Sequence, residues 1–233
     1  MDIHSFECLN ESMTPKQPYF SRELFQFLVE LKFNNERPWF NANKARYEDH
    51  IKKPLLHFIA DAAPRVQRIE PAFSRPTFFR IYRDTRFGKD KTPYKTHAAA
   101  QFRHRATADN VHAPGFYLHL EPGDSFIAGG LWQPEPDVML AVRKRIARRD
   151  PDWLAFKKKC LPFYVDDKLK RPPKGFSPEH PLIEDLKMRS FISWVQLSDK
   201  DACAPDFMDR FVKAVRQLAP LVRFLCTAQG LKN

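Results

Sequence analysis

Apolar positions along the 233-residue chain pass from a helical period to strict alternation and back to a helical period. After Ser21, the residues Leu24, Phe27, Leu28 and Leu31 recur at intervals of three and four, which is one face of a helix. Ser21 is a capping type, Glu23 sits near the positive end, and Phe20 with Phe25 has the spacing of a hydrophobic staple. Beyond a break at 34–38, a second helix is predicted over 39–63, with Phe40, Tyr47, Ile51, Leu55, Phe58 and Ile59 as its buried stripe. Pro54 is expected to kink or split it and Pro64 to end it, because proline lacks the backbone donor and crowds the preceding turn.

The middle of the chain reads as strands: 78–84, 98–103, 115–121 and 125–132. Pro122, Gly123 and Asp124 between the last two are a hairpin signal. In 115–121, Phe116, Leu118 and Leu120 alternate with Tyr117, His119 and Glu121, so one face is apolar and the other carries chemistry. In 78–84, Phe79 and Ile81 share one face while Arg80, Tyr82 and Asp84 share the other, which is expected to adjoin the Tyr117 face. A helix over 135–149 would bury Val138, Met139, Val142 and Ile146 and leave Arg143, Lys144, Arg145, Arg148 and Arg149 in solvent. A short helix at 152–159, a proline-rich basic loop at 168–181 and a strand at 191–197 follow. From Pro205 a long final helix shows Phe207, Phe211, Val215, Leu218, Val222 and Leu225 on one stripe, kinked at Pro220. Helices at both ends around a central, largely antiparallel sheet define an α+β domain over 19–233, preceded by a flexible arm at 1–18.

Charge changes the picture in one place. The formal net charge is +11, which favours an anionic partner. The densest stretch, 80–97, reads RIYRDTRFGKDKTPYKTH. Its Arg80, Arg83, Arg86, Lys89, Lys91 and Lys95 outnumber Asp84 and Asp90, so an anion would complete what the two carboxylates leave unpaired. Asp84 and Asp90 orient arginines, and Asp84 is a candidate general base; Tyr94 closes the segment as a ligand contact. On the neighbouring strand, His119 is a second candidate acid or base, tuned by Glu121 and accompanied by Tyr117. Arg171, within the loop Lys170–Phe176 region of basic and proline residues, is a candidate contact from a lid. Each of these has a plainer reading, as a salt-bridge network, a hydrogen-bonded structural histidine or a solvent-facing connection.

His97, His104, His112 and His119 match no zinc or facial-triad spacing, so no metal is expected, and no cofactor motif is present. The four cysteines are scattered without a C-x-x-C pair, no signal peptide is visible, and no stretch nears the roughly 20 apolar residues of a membrane span, so a cytoplasmic protein without a membrane partner is expected.

The pattern R-x-x-R-D-x-R-F-x-K-[DN]-K-x-x-Y is met by Arg80, Arg83, Asp84, Arg86, Phe87, Lys89, Asp90, Lys91 and Tyr94. With Asn35-Glu36-Arg37, Trp39-Phe40, Asn43-Lys44, Ala113-Pro114-Gly115-Phe116-Tyr117, Leu169-Lys170-Arg171-Pro172-Pro173 and His180-Pro181-Leu182, the chain from about Tyr19 onward resembles a bacterial family, domain of unknown function 2461. The resemblance implies a single-domain bacterial protein and transfers no catalytic residue. Two functions follow from the residues: binding of a phosphorylated or carboxylated small molecule, with or without catalysis, or binding of nucleic acid phosphates by the same cluster. A structural charge network without a ligand is the third reading.

Overall fold

The two helical stripes are where their periods put them. The computed structural model describes residues 17–73, 75–86, 89–107, 110 and 112–232, with Arg75 described in its backbone alone. Of the expected arm only Gln17 and Pro18 are among them, and Phe87, Gly88 and Cys8 lie outside the described residues. Helix α1 (Arg22–Phe33) buries Leu24, Phe25, Phe27, Leu28 and Leu31. Ser21 occupies the N-cap, although its hydroxyl makes no capping bond.

The second helical region is more continuous than expected. It runs through α2 (Arg37–Ala42), α3 (Lys44–Tyr47), a π turn (Glu48–Lys52) and α4 (Lys53–Ile69). The disturbance expected at Pro54 appears one turn earlier as the π turn, in which the Lys53 amide reaches back to the Glu48 carbonyl. Pro64 does not end the helix, which continues to Ile69. Pro64 and Ala60 are exposed, so the carbonyl that loses its proline donor faces water, while Ala62 and Val66 keep the buried stripe intact.

Five strands pair in sequence order, all antiparallel: β1 (Arg75–Phe78), β2 (Ala98–Arg103), β3 (Gly115–Leu120), β4 (Ser125–Leu131) and β5 (Phe191–Leu197). The strand expected over 78–84 therefore stops at Phe78, and 79–97 is an excursion pinned by an isolated bridge between Tyr82 and Tyr94 and the flanking backbone bonds of Arg83 to Pro93 and Lys95 to Ile81. Between β4 and β5 the chain inserts α5 (Pro136–Ala147), α6 (Pro151–Lys157) and α7 (Ile183–Leu186). Helices α8 (Asp199–Ala202) and α9 (Phe207–Ala228) follow β5.

Helix α9 is apolar on two sides and separates two cores. Toward the sheet and α4 it places Phe207, Phe211, Val215, Leu218 and Val222 against Phe58, Phe102, Phe116 and Leu118. Toward the insertion it places Leu221, Phe224 and Leu225 against Trp153, Phe156 and Phe191. Each fully buried Phe or Leu contributes about 1.5–3 kcal/mol of transfer free energy. Close approach to the sheet requires Gly129: a Cβ there would sit 2.9 Å from Leu218 Cβ and 3.2 Å from Val222 Cγ2.

Two of the arginines expected in solvent on α5 are not there. Arg143 donates from Nε to the Leu186 carbonyl at 2.8 Å and from Nη2 to that of Met188 at 3.0 Å. Arg145 pairs with Asp150 at 2.6 Å and donates to the Phe224 carbonyl at 3.0 Å. Their long stems cross the edge of the second core, and the heads find carbonyls there instead of water.

Candidate functional site

Alternation along the strands leaves the sheet with one covered and one open face. Ala100, Phe102, Phe116, Leu118, Leu120 and Ile127 lie in the first core. Their alternating neighbours Gln101, Tyr117, Phe126, Ala128, Trp194 and Gln196 line a groove of about 620 Å3 on the other side. Phe79, Trp132 and Tyr164 extend its wall, so half of its Phe, Tyr and Trp side chains come from outside the strands. Tyr164 is held there because its amide donates to the Ile192 carbonyl at 2.9 Å, and Trp132 packs on its ring at 5.0 Å. The groove is mostly apolar in surface, with Gln101, His112, Asp124, Asp166 and Gln196 as polar points along its lining, and a concave cavity of this size is the ordinary form of a small-molecule site.

At one end of that face three polar side chains form a chain. Tyr117 Oη lies 3.1 Å from His119 Nδ1, and His119 Nε2 lies 3.0 Å from Glu121 Oε2. Thr96 Oγ1 donates to Glu121 Oε1 at 3.3 Å. Phe126 stacks on the His119 ring at 4.7 Å, and His119 is only 8% exposed. Burial pushes the Tyr117 hydroxyl above its ordinary pKa, with Glu121 adding to the effect, so it stays protonated. A second imidazole joins them: the His97 ring is 4.4 Å from that of His119. Burial, then the neighbouring His119, lowers the His97 pKa to about 4, which leaves the ring neutral near pH 7.

Register explains this meeting. Ala98 is paired with Leu120, so His97 falls opposite Glu121, one step beyond the last paired residues of β2 and β3. The sequence candidates Tyr117 and His119 are thus joined by His97 and the groove aromatics, none of which was among the expected ligand contacts.

The charged excursion is built differently from expectation. Phe79, not Arg80, Tyr82 or Asp84, adjoins the Tyr117 face, with its ring 5.8 Å from Tyr117. The cause is parity: Phe78 pairs with Ala100 on the core side, and the Phe79 amide continues the ladder to the Ala99 carbonyl at 3.1 Å. Arg83, Asp84, Asp90, Tyr94, Lys95 and His97 share a separate cleft. Inside the excursion, carboxylates and arginines satisfy one another. Arg86 donates from Nε and Nη2 to Asp84 at 3.0 and 2.7 Å, and Arg83 pairs with Asp90 and Thr92. The Arg86 hydrogen bonds hold Asp84 at about 2 and the Arg83 hydrogen bond holds Asp90 at about 2, which makes both weak bases. Lys91 donates to the Thr85 carbonyl at 2.9 Å. Tyr94 is a core residue, 3% exposed and stacked on Phe40 at 4.1 Å. Arg80 and Lys89 are exposed and line neither cavity, and the same holds for Arg171.

Lys95 is the cation that reaches the groove wall. Its Nζ sits 5.3 Å over the Phe79 ring, and burial, with Arg80 nearby, lowers its pKa. No carboxylate pairs with it among the described residues.

The molecule is thus an α+β protein with an open-faced antiparallel sheet whose uncovered side carries an aromatic groove and a histidine–carboxylate cluster. The family described as "Conserved hypothetical protein (DUF2461)" matches residues 23–224, and the chain belongs to it. No curated protein matches the chain. Among the described residues no helix is long and apolar enough to cross a membrane.

Proposed function

We propose that the protein binds a small organic anion, with its apolar body in the groove and its carboxylate or phosphate beside Lys95. The observation that carries this reading is the aromatic groove on the open sheet face, whose lining includes Tyr117, the first member of the Tyr117–His119–Glu121 hydrogen-bond chain. Rings on several sides would hold a planar or apolar body, and Tyr117, backed by His119 and Glu121, offers that body a hydroxyl. Lys95, lying over Phe79 without a carboxylate, supplies attraction for the charged end. The pairing of Arg83 with Asp90 and of Arg86 with Asp84 favours a structural role for most of the excursion. Those pairs, and the backbone bonds of Arg143 and Arg145, leave fewer free cations for a nucleic acid track, which supports the small molecule over it. A cytoplasmic setting belongs to the same proposal.

The test is thermal-shift screening with aromatic and aliphatic carboxylates and phosphates, followed by repetition on Ala128→Phe. Ala128 lies between its cross-strand partners Tyr117 and Trp194 on the groove floor, so a phenyl ring there fills the cavity from the solvent side. A ligand at 100 times its Kd adds about 2.7 kcal/mol of stability. Stabilisation of the wild type that Ala128→Phe abolishes, with its own melting unchanged, is the expected result. Equal stabilisation of both proteins, or stabilisation by oligonucleotides alone, would defeat the proposal.

A further inference from the structure

The geometry points to a site for a first-row divalent transition metal built from His97, His119 and Glu121. One donor atom from each residue lies within 4.8 Å of the other two. Ligand atoms around a tetrahedral ion at bonds of about 2.1 Å stand about 3.4 Å apart, so small side-chain rotations close the set. The two donors that would move least, His119 Nε2 and Glu121 Oε2, are already 3.0 Å apart, and the ion would take the place of the proton between them.

The surroundings have the form that metal ligands need. With Nε2 on the metal, His119 Nδ1–H points at Tyr117 Oη, 3.1 Å away, an outer partner that fixes the tautomer and the ring plane. Thr96 holds Glu121 by Oε1 and leaves Oε2 for the ion. Phe126 stacked on His119 restricts ring rotation. Neither nitrogen of His97 has a hydrogen-bond partner among the described residues, so a ring nitrogen is open to a ligand. Two imidazoles and one carboxylate suit zinc, iron or cobalt and disfavour magnesium or calcium, which prefer all-oxygen shells. Three protein donors leave coordination positions open. His97 is on the wall of the charged cleft and Tyr117 on that of the groove, so the ion would stand between the two cavities.

This inference goes beyond ligand binding in the groove and is tested with metal ions alone, so an empty groove and an empty metal site give separate results. The full chain is stripped with chelator and titrated with Co2+, whose visible d–d absorption reports coordination, and Zn2+ is then added as competitor. Stoichiometric Co2+ binding is expected for the wild type and for His112→Ala, a histidine outside the cluster. Glu121→Gln, nearly isosteric, and His97→Ala, at a half-buried position, should each weaken binding at least about 100-fold with melting curves retained. Absence of a Co2+ spectrum in the wild type overturns the site. So does wild-type affinity in both cluster variants, or equal loss in His112→Ala.

Discussion

Replacing Asn35 by alanine tests how the charged excursion is fastened to the rest of the protein. The Asn35 side chain acts as a short strand: Nδ2 donates to the Tyr94 carbonyl and Oδ1 accepts from the Tyr94 amide, both at 3.0 Å. These bonds join the turn between α1 and α2 to the segment that delivers Lys95 and His97. A hydrogen bond contributes about 0.5–1.5 kcal/mol net, and more is lost when its partner stays buried. Tyr94 is 3% exposed, so removing both bonds should cost about 2 kcal/mol. For a protein of this size that corresponds to a fall in Tm of about 4–8 °C. Urea denaturation should show a lower midpoint with an unchanged slope, since the surface exposed on unfolding is the same. Asn34→Ala is the neighbouring control, because its exposed Nδ2 bond to the Glu30 carbonyl competes with water. A cost for Asn35→Ala below about 0.5 kcal/mol, no greater than that for Asn34→Ala, would refute the reasoning.

Two further outcomes are expected. Gly129→Ala should destabilise by about 1–3 kcal/mol in urea, because its methyl meets Leu218 at 2.9 Å on a helix fixed between two cores, and a neutral result would mean that α9 shifts freely. Glu70, 1% exposed, has its pKa raised by burial despite Arg223 at 2.6 Å, so the folded state holds its proton more tightly than the unfolded chain. Its contribution is then fully present below the unfolded value of about 4.3 and is lost as pH rises through the raised folded value. The stability of the wild type relative to Glu70→Gln should fall across that window. A rise would show that the Arg223 pair outweighs burial.

Much of the architecture was legible because it is written in local periods. The stripes of α1 and α9, the alternation in β3 and the hairpin to β4 each depend on residues a few positions apart, and each forms where those positions predict. The sheet order was legible only at the β3–β4 hairpin, because the excursion at 79–97 and the three-helix insertion before β5 separate strands that nevertheless pair. The excursion resisted the same treatment. Alternation in 79–84 suggested a strand facing Tyr117, yet β1 ends at Phe78, and Ile81 and Tyr94 are drawn into the core against α1 and α2. Pro64 continues a helix because its lost bond falls on the wet side, which a local rule does not see.

By itself the sequence determined the α+β class, the helical faces, and the placement of Tyr117, His119 and Glu121 on one side of a strand. Tertiary structure alone decided what meets them. The pairing of Ala98 with Leu120 sets His97 across from Glu121, although 24 positions separate His97 from Glu121 in sequence. It also decided that Arg83 and Arg86 spend their charge on Asp90 and Asp84, while Lys95 reaches the groove. Side-chain period is a local property of the backbone, whereas strand register and the choice among competing charge partners depend on packing across the whole fold.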